Sequence, residues 1–132
     1  MLRLYAHLRI YLWRRSKMRE FVKAFKALSD ETRVRILKLL LERECCVCEV
    51  MQALDISQSR ASRNLGILHD AGFIKARRDG LWVLYSIDEK GMASYFGVLI
   101  ELLRDSLDRD ETILMDSERL KGAVRAGPGC DR

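Results

Sequence analysis

Proline is nearly missing from this sequence: the 132 residues hold one, Pro128, close to the C-terminal end. Nothing before it interrupts a helix. Histidine is as scarce, with only His7 and His69. There is also no Gly-rich phosphate loop and no Ser/His/Asp set, so no residue is assigned a catalytic role and the chain does not read as an enzyme. Long apolar runs are lacking too. The opening MLRLYAHLRIYLWRR is broken by Arg3 and Arg9, too charged to span a bilayer and without the uninterrupted apolar centre of a signal peptide.

An excess of one charge is missing over most of the chain. The net charge is +5, and residues 1–17 supply that much alone through Arg3, Arg9, Arg14, Arg15 and Lys17. A general argument from basicity to nucleic acid is therefore weak. A local one is better. Residues 57–78 carry Arg60, Arg63, Lys75, Arg77 and Arg78 against Asp70 alone. With 48% hydrophobic and 33% charged residues, the composition is that of one globular domain with a real core.

The apolar spacing supplies the elements. Phe21, Ala24, Phe25 and Leu28 recur at helical intervals. Ser29 or Asp30 caps a second helix rich in Val34, Ile36, Leu37, Leu39, Leu40 and Leu41. Val47, Val50, Met51 and Leu54 predict a short third helix. Asp55-Ile56-Ser57 predicts a tight connection, and Gln58 to about Asp70 a fourth helix closed by Gly72. Two short helices joined by a tight turn, the second with an exposed Ser/Arg/Asn face, form a helix-turn-helix. A hairpin follows, Phe73–Arg78 and Leu81–Ile87 about Asp79-Gly80. The expected fold is mainly α with a small β-hairpin wing: a winged helix-turn-helix, dimeric.

The last helix is expected from Asp88 to Leu114, with Leu99, Leu102 or Leu103 buried against a partner subunit. The domain plan has three parts. Residues 1–17 are a basic extension, helical or upstream of a true start at Met18. Residues 18–114 are the DNA-binding and dimerisation domain, and 115–132 a mobile tail.

On the DNA face, Gln58, Ser59, Ser62, Arg63 and Asn64 have the chemistry for base edges. Arg60 is expected at phosphate, with Arg77 and Arg78 as wing cations. A polar helix face is ordinarily just solvated; the turn before this one and the wing after it argue otherwise. Three of the four cysteines, Cys45, Cys46 and Cys48, crowd into four positions, while Cys130 stands apart. Such crowding suits thiols kept for metal or redox chemistry in a reducing cytoplasm rather than a disulfide scaffold.

Four stretches, ALSDETRVRILKLL, ECCVCEV, SQSRASRNLGILHDAGFI and RRDGLWVLYSI, occur in this order from about Met18 to Asp108. The chain thereby resembles the ArsR/SmtB family of metalloregulatory repressors, and its arsenite-sensing subgroup in particular. The resemblance implies a homodimeric repressor in the cytoplasm, bound to double-stranded operator DNA without a permanent cofactor and released by arsenite or antimonite. It places Cys46 and Cys48 as ion ligands. The family's usual third thiol, three residues on, is replaced here by Met51. A trivalent metalloid wants three soft thiolates, so Cys45, Cys130 or an outside thiol must complete the set; Cys45 is the expected third ligand, and Cys130 is expected to be dispensable. On a regular helix Cys46 and Cys48 point about 200° apart and would need unwinding to share an ion, whereas Cys45 and Cys48 share a face. The family's zinc-type site in the last helix has no counterpart, because that helix lacks histidine. Two alternatives stand: a thiol redox or soft-metal (cadmium, lead) sensor on the same scaffold, and, more distantly, a protein–protein or membrane-surface module built on the basic N-terminal segment.

Overall fold

A computed structural model describes residues 3, 5–9, 17–89 and 94–125. Residues 5–9 are helical and exposed. The elements that follow are α1 (Lys17–Leu28), α2 (Glu31–Glu42), α3 (Val47–Leu54), α4 (Gln58–Ala71), β1 (Ile74–Asp79), β2 (Trp82–Ile87), α5 (Ser94–Asp105) and α6 (Glu111–Gly122). This is a mostly helical winged helix-turn-helix, as the spacing predicts.

Local chemistry sets the boundaries. The Asp30 carboxylate accepts the Arg33 amide at 3.1 Å and starts α2. Ser57 does the same for α4 with the Arg60 amide at 3.2 Å. Gly72 ends α4 in the left-handed region at φ 97°, where an added Cβ would stand 3.3 Å from the Phe96 ring. Between α3 and α4, Asp55 takes φ 54°, a conformation aspartate tolerates. β1 and β2 are antiparallel, with Asp79 opposite Trp82. The two-residue loop is therefore Gly80-Leu81, one position later than the Asp-Gly signal suggests, and Gly80 supplies the positive φ.

The core is built round α2. Ile36, Leu37, Leu39 and Leu40 pack with Leu65 and Leu68 of α4, Phe73, and Phe96, Leu99, Ile100 and Leu103 of α5. This corrects the expected dimer seam. Leu99 and Leu103 lie one turn apart on the inner face of α5 and are buried in their own subunit, whereas Val98 and Leu102 point out at 70% and 62% exposure. With Met18, Phe21, Val22 and Phe25 of α1, all also exposed, they are the large apolar side chains left uncovered on these two helices.

The expected single last helix is two. The Lys38 ammonium donates to the carbonyls of Leu103 (2.9 Å) and Ser106 (2.7 Å), which closes the C-terminal end of α5. Leu107 then turns at φ 68°, and Asp110 caps α6. Residues 115–122, expected in a mobile tail, belong to this packed helix; 126–132 lie outside the described residues. α6 lies against α3 and α2, fastened by a buried pair: Arg35 holds both Asp116 oxygens at 2.8 Å, and Asp116 also accepts from Arg119. Breaking a buried pair from one side leaves a charge without its partner. Asp116→Ala should therefore cost about 3 kcal/mol or more of stability in urea unfolding, although it lies in what the sequence reads as a tail. A loss below about 0.5 kcal/mol, the range of ordinary surface changes, would contradict the packing of α6.

Candidate DNA-reading face and thiol site

α4 presents its N-terminal half outward. Gln58, Ser59, Arg60, Ser62 and Arg63 are all exposed. Asn64 is not, which corrects its assignment to the DNA face: it is 3% exposed. Its carboxamide oxygen accepts from Arg33 at 3.1 Å, and its amide donates to the Arg60 carbonyl at 2.9 Å. The reason is periodicity, since Asn64 falls on the inner stripe with Ala61, Leu65 and Leu68. Arg60 is exposed yet tethered, its guanidinium donating to Thr32 Oγ1 at 2.8 Å. In the wing, Arg77 and Arg78 are exposed, and Arg77 forms an ion pair with Glu44. That pair holds the Glu44 carboxyl below its ordinary range through the Arg77 hydrogen bond. Sequence reasoning missed Thr32, Arg33 and Glu44. The first two carried a signal, being polar residues in the first turn of a helix whose later residues fill the core.

Glu44 opens the cysteine segment. Cys45 is extended and forms a two-way backbone bridge with Tyr85 of β2: its N–H donates to the Tyr85 carbonyl at 3.0 Å and its carbonyl accepts the Tyr85 N–H at 2.8 Å. Extended backbone turns successive side chains to opposite sides. Cys45 accordingly belongs to the main core, while Cys46 packs with Cys48, Leu84 and Trp82 in a separate small cluster beneath the wing.

Two expectations change here. Cys46 is the N-cap of α3, with φ −85° and ψ 170°, not a residue of its first turn. The 200° argument for a regular helix therefore does not apply, and Cys46 meets Cys48 without unwinding. Cys45, expected to share a face with Cys48, looks the other way. Among the described residues, no three Cys, His, Asp or Glu side chains form a ready metal site.

All three cysteines are buried, at 0% (Cys45), 2% (Cys46) and 4% (Cys48) exposure. Burial pushes the Cys45 thiol up to about 12 and raises that of Cys46. Cys45 and Cys46 are free, and Cys48 is disulfide-bonded. Cys130 lies outside the described residues.

Glu49 secures the start of α3. Its carboxylate is almost fully buried and accepts the Cys46 N–H at 3.0 Å, closing a capping box in which a cysteine stands where serine is usual. Burial disfavours its charge, but the Cys46 amide, Arg43 and Arg125 outweigh that and hold the carboxyl below its usual range. Arg125 reaches it at 3.1 Å from beyond α6. Arg43 pairs with it as well and also donates to the Leu120 carbonyl. No local signal points to Arg125, which lies 76 positions away in the chain.

Residues 30–76 match the profile described as bacterial regulatory protein, arsR family. The chain is 35% identical over 99 residues to the arsenical resistance operon repressor of Escherichia coli K12, an alignment spanning 74% of this chain and 85% of that one. It is 44% identical over 72 residues to a cadmium resistance transcriptional regulatory protein CadC homolog of Staphylococcus aureus, spanning 54% of this chain and 60% of that relative. Among solved structures it is similar to the transcriptional repressor BigR of Xylella fastidiosa, with a TM-score of 0.60 and 27% identity over 74% of this chain and 92% of that one. These relatives are transcriptional regulators, not enzymes. The exposed N-terminal half of α4, the wing and the cysteine segment thus sit in a domain of known kind: the chain belongs to the ArsR family of bacterial regulatory proteins.

Proposed function

We propose that this chain is a homodimeric repressor of a metalloid-resistance operon, working in the cytoplasm. It binds double-stranded operator DNA when free of ion and leaves it when trivalent arsenic or antimony is captured by Cys46 and Cys48. The observation that carries the reading is the seating of Cys46 and Cys48 in one apolar cluster with Leu84 and Trp82 of the wing strand. An ion between those two sulfurs must displace groups packed under the wing. Each thiol replaces one hydroxide of arsenite and liberates water. Cys48 must first be reduced, which a cytoplasmic thiol pool supplies. The third ligand position falls to an outside thiol, because Cys45 faces the opposite side of the bridge. The names of the arsenic-resistance relatives support the ion class.

The DNA contacts proposed are Gln58, Ser59, Ser62 and Arg63 at the major groove, with Arg60 and Arg78 at phosphates. Arg77 joins them once it exchanges Glu44 for DNA. The dimer face is drawn from the exposed apolar side chains of α1 and α5, with Phe21, Val22, Phe25, Val98 and Leu102 at its centre. A homodimeric winged helix-turn-helix domain from Mycobacterium bovis, 28% identical with a TM-score of 0.58, supports the dimer itself.

A second reading, thiol redox sensing on the same scaffold, is favoured by one observation, the disulfide-bonded state of Cys48. Cadmium or lead is the alternative ion, and the name of the Staphylococcus aureus relative speaks for cadmium.

Three outcomes are expected. Arg78→Ala should weaken duplex binding and flatten the slope of log K against log salt by about 0.9 for each phosphate it no longer neutralises. An unchanged affinity and slope would remove Arg78 from the interface. Leu102→Glu should leave the circular dichroism spectrum native and yield monomers in sedimentation; a tight dimer would place the interface elsewhere. In the third, Cys46→Ser and Cys48→Ser, assayed under reduction by fluorescence anisotropy on labelled duplex, should keep their DNA affinity but fail to release DNA on adding arsenite. Cys45→Ser should respond as the parent does. Release of the parent by peroxide but never by arsenite would favour the redox reading.

A further inference from the structure

Arg33 faces neither open solvent nor a single partner. Its side chain is 15% exposed, and its guanidinium meets two other helices at once. Nε donates to the Ala27 carbonyl at 2.7 Å and one terminal nitrogen to the Lys26 carbonyl at 3.2 Å. The other terminal nitrogen donates to Asn64 Oδ1 at 3.1 Å. Lys26 and Ala27 lie in the last turn of α1, at the negative end of the helix dipole, where the Lys26 carbonyl also accepts the Ser29 N–H at 3.2 Å. Asn64 is buried in α4. One turn earlier on α4, the Arg60 guanidinium is held by Thr32, the neighbour of Arg33. The first turn of α2 thus grips α4 at two points and the end of α1 at a third.

α1 and α4 are the two elements whose relative placement decides how a dimer meets DNA. The outward face of α1 carries Phe21, Val22 and Phe25, and the Phe21 ring meets Tyr95 of α5 edge-on at 5.2 Å between centroids. In a two-fold dimer joined through that face, the angle between α1 and α4 sets the separation of the two recognition helices. Binding two half-sites at once demands that this separation match the helical repeat of DNA.

We infer that Arg33, acting through Asn64, is a positioning residue that locks the recognition helix to the dimer face and so fixes the half-site spacing the protein accepts. The inference rests on the proposed DNA-reading dimer. Arginine suits the task because its planar fork reaches acceptors in several directions at once; a lysine ammonium keeps the charge and loses the fork. Asn64 presents its oxygen to that fork because its amide already donates to the Arg60 carbonyl.

The test uses the reduced full chain and duplexes that the parent selects from a random-sequence pool. Affinity is measured on the selected inverted repeat, on the same repeat with one or two base pairs inserted between its halves, and on a single half-site. Arg33→Lys and Asn64→Leu should each bind the parental repeat about tenfold more weakly, the size of one hydrogen bond to a charged group. Each should bind the single half-site within about threefold of the parent, tolerate the inserted base pairs better than the parent does, and remain dimeric in sedimentation. The double variant should lose less than the sum of the two single losses, because the Arg33–Asn64 bond is common to both.

Equal losses on repeat and half-site would show a merely structural role and overturn the inference. So would an unaltered spacing preference in folded variants, or additive losses in the double variant. If Arg33→Lys does not fold, Asn64→Leu removes the same bond from the other side and decides the question alone. A parent that selects no sequence at all contradicts the DNA-reading dimer, an outcome separate from any behaviour of the variants.

Discussion

Two backbone hydrogen bonds between Cys45 and Tyr85 determine most of what this domain can do. A two-stranded hairpin alone is marginal in water, and the bridge gives the wing a further attachment. It also fixes the backbone of Cys45 in the extended state, from which the rest follows. Cys45 turns into the core, Cys46 turns under the wing, and α3 starts immediately afterwards with Glu49 closing its cap. The thiol cluster and the wing are therefore one structural unit. A group that disturbs Cys46 and Cys48 acts on Leu84 and Trp82 directly, and through Glu44 on Arg77.

The charged residues of α2 perform the complementary task. Arg33 holds α1 to α4, Arg35 holds α6, and Lys38 terminates α5 and salt-bridges Asp108. A helix whose apolar face fills the core thus uses its polar residues to fasten four others. Each of these residues satisfies helix-terminal carbonyls or a buried polar group, which are costly to leave unpaired. The recognition helix is consequently held from behind while its N-terminal half stays exposed.

Much of this arrangement is legible in the sequence, and the parts that are not share a cause. The helix-turn-helix can be read because its signals are local: Asp30, Ser57 and Gly72 cap what they adjoin, and the Asp79-Gly80 pair marks the hairpin to within one residue. The inward turn of Asn64 follows from its place among Ala61, Leu65 and Leu68; its polarity conceals that. Leu103 reads as a partner residue because helical spacing shows which leucines share a face but not which face the subunit itself covers. The break at Leu107 depends on Lys38, 69 positions earlier in the chain, and the burial of Glu49 depends on Arg125. No local pattern encodes such pairings. The cysteine geometry is misread for a related reason: whether Cys46 is in the helix or is its cap is decided by the bridge to Tyr85, a residue of a different element.

The central claim is that the ion is captured by Cys46 and Cys48 directly beneath the wing. Trp82 packs on that cluster, and the only other tryptophan is Trp13, so its emission in a Trp13→Phe background reports on the site alone. Titrating arsenite into this reduced protein should change the Trp82 emission saturably at one ion per chain. The change should disappear in Cys46→Ser and be opposed by added operator duplex, as linkage requires. Arsenite that binds and releases DNA while Trp82 emission stays constant, or a full response in Cys46→Ser, would contradict it.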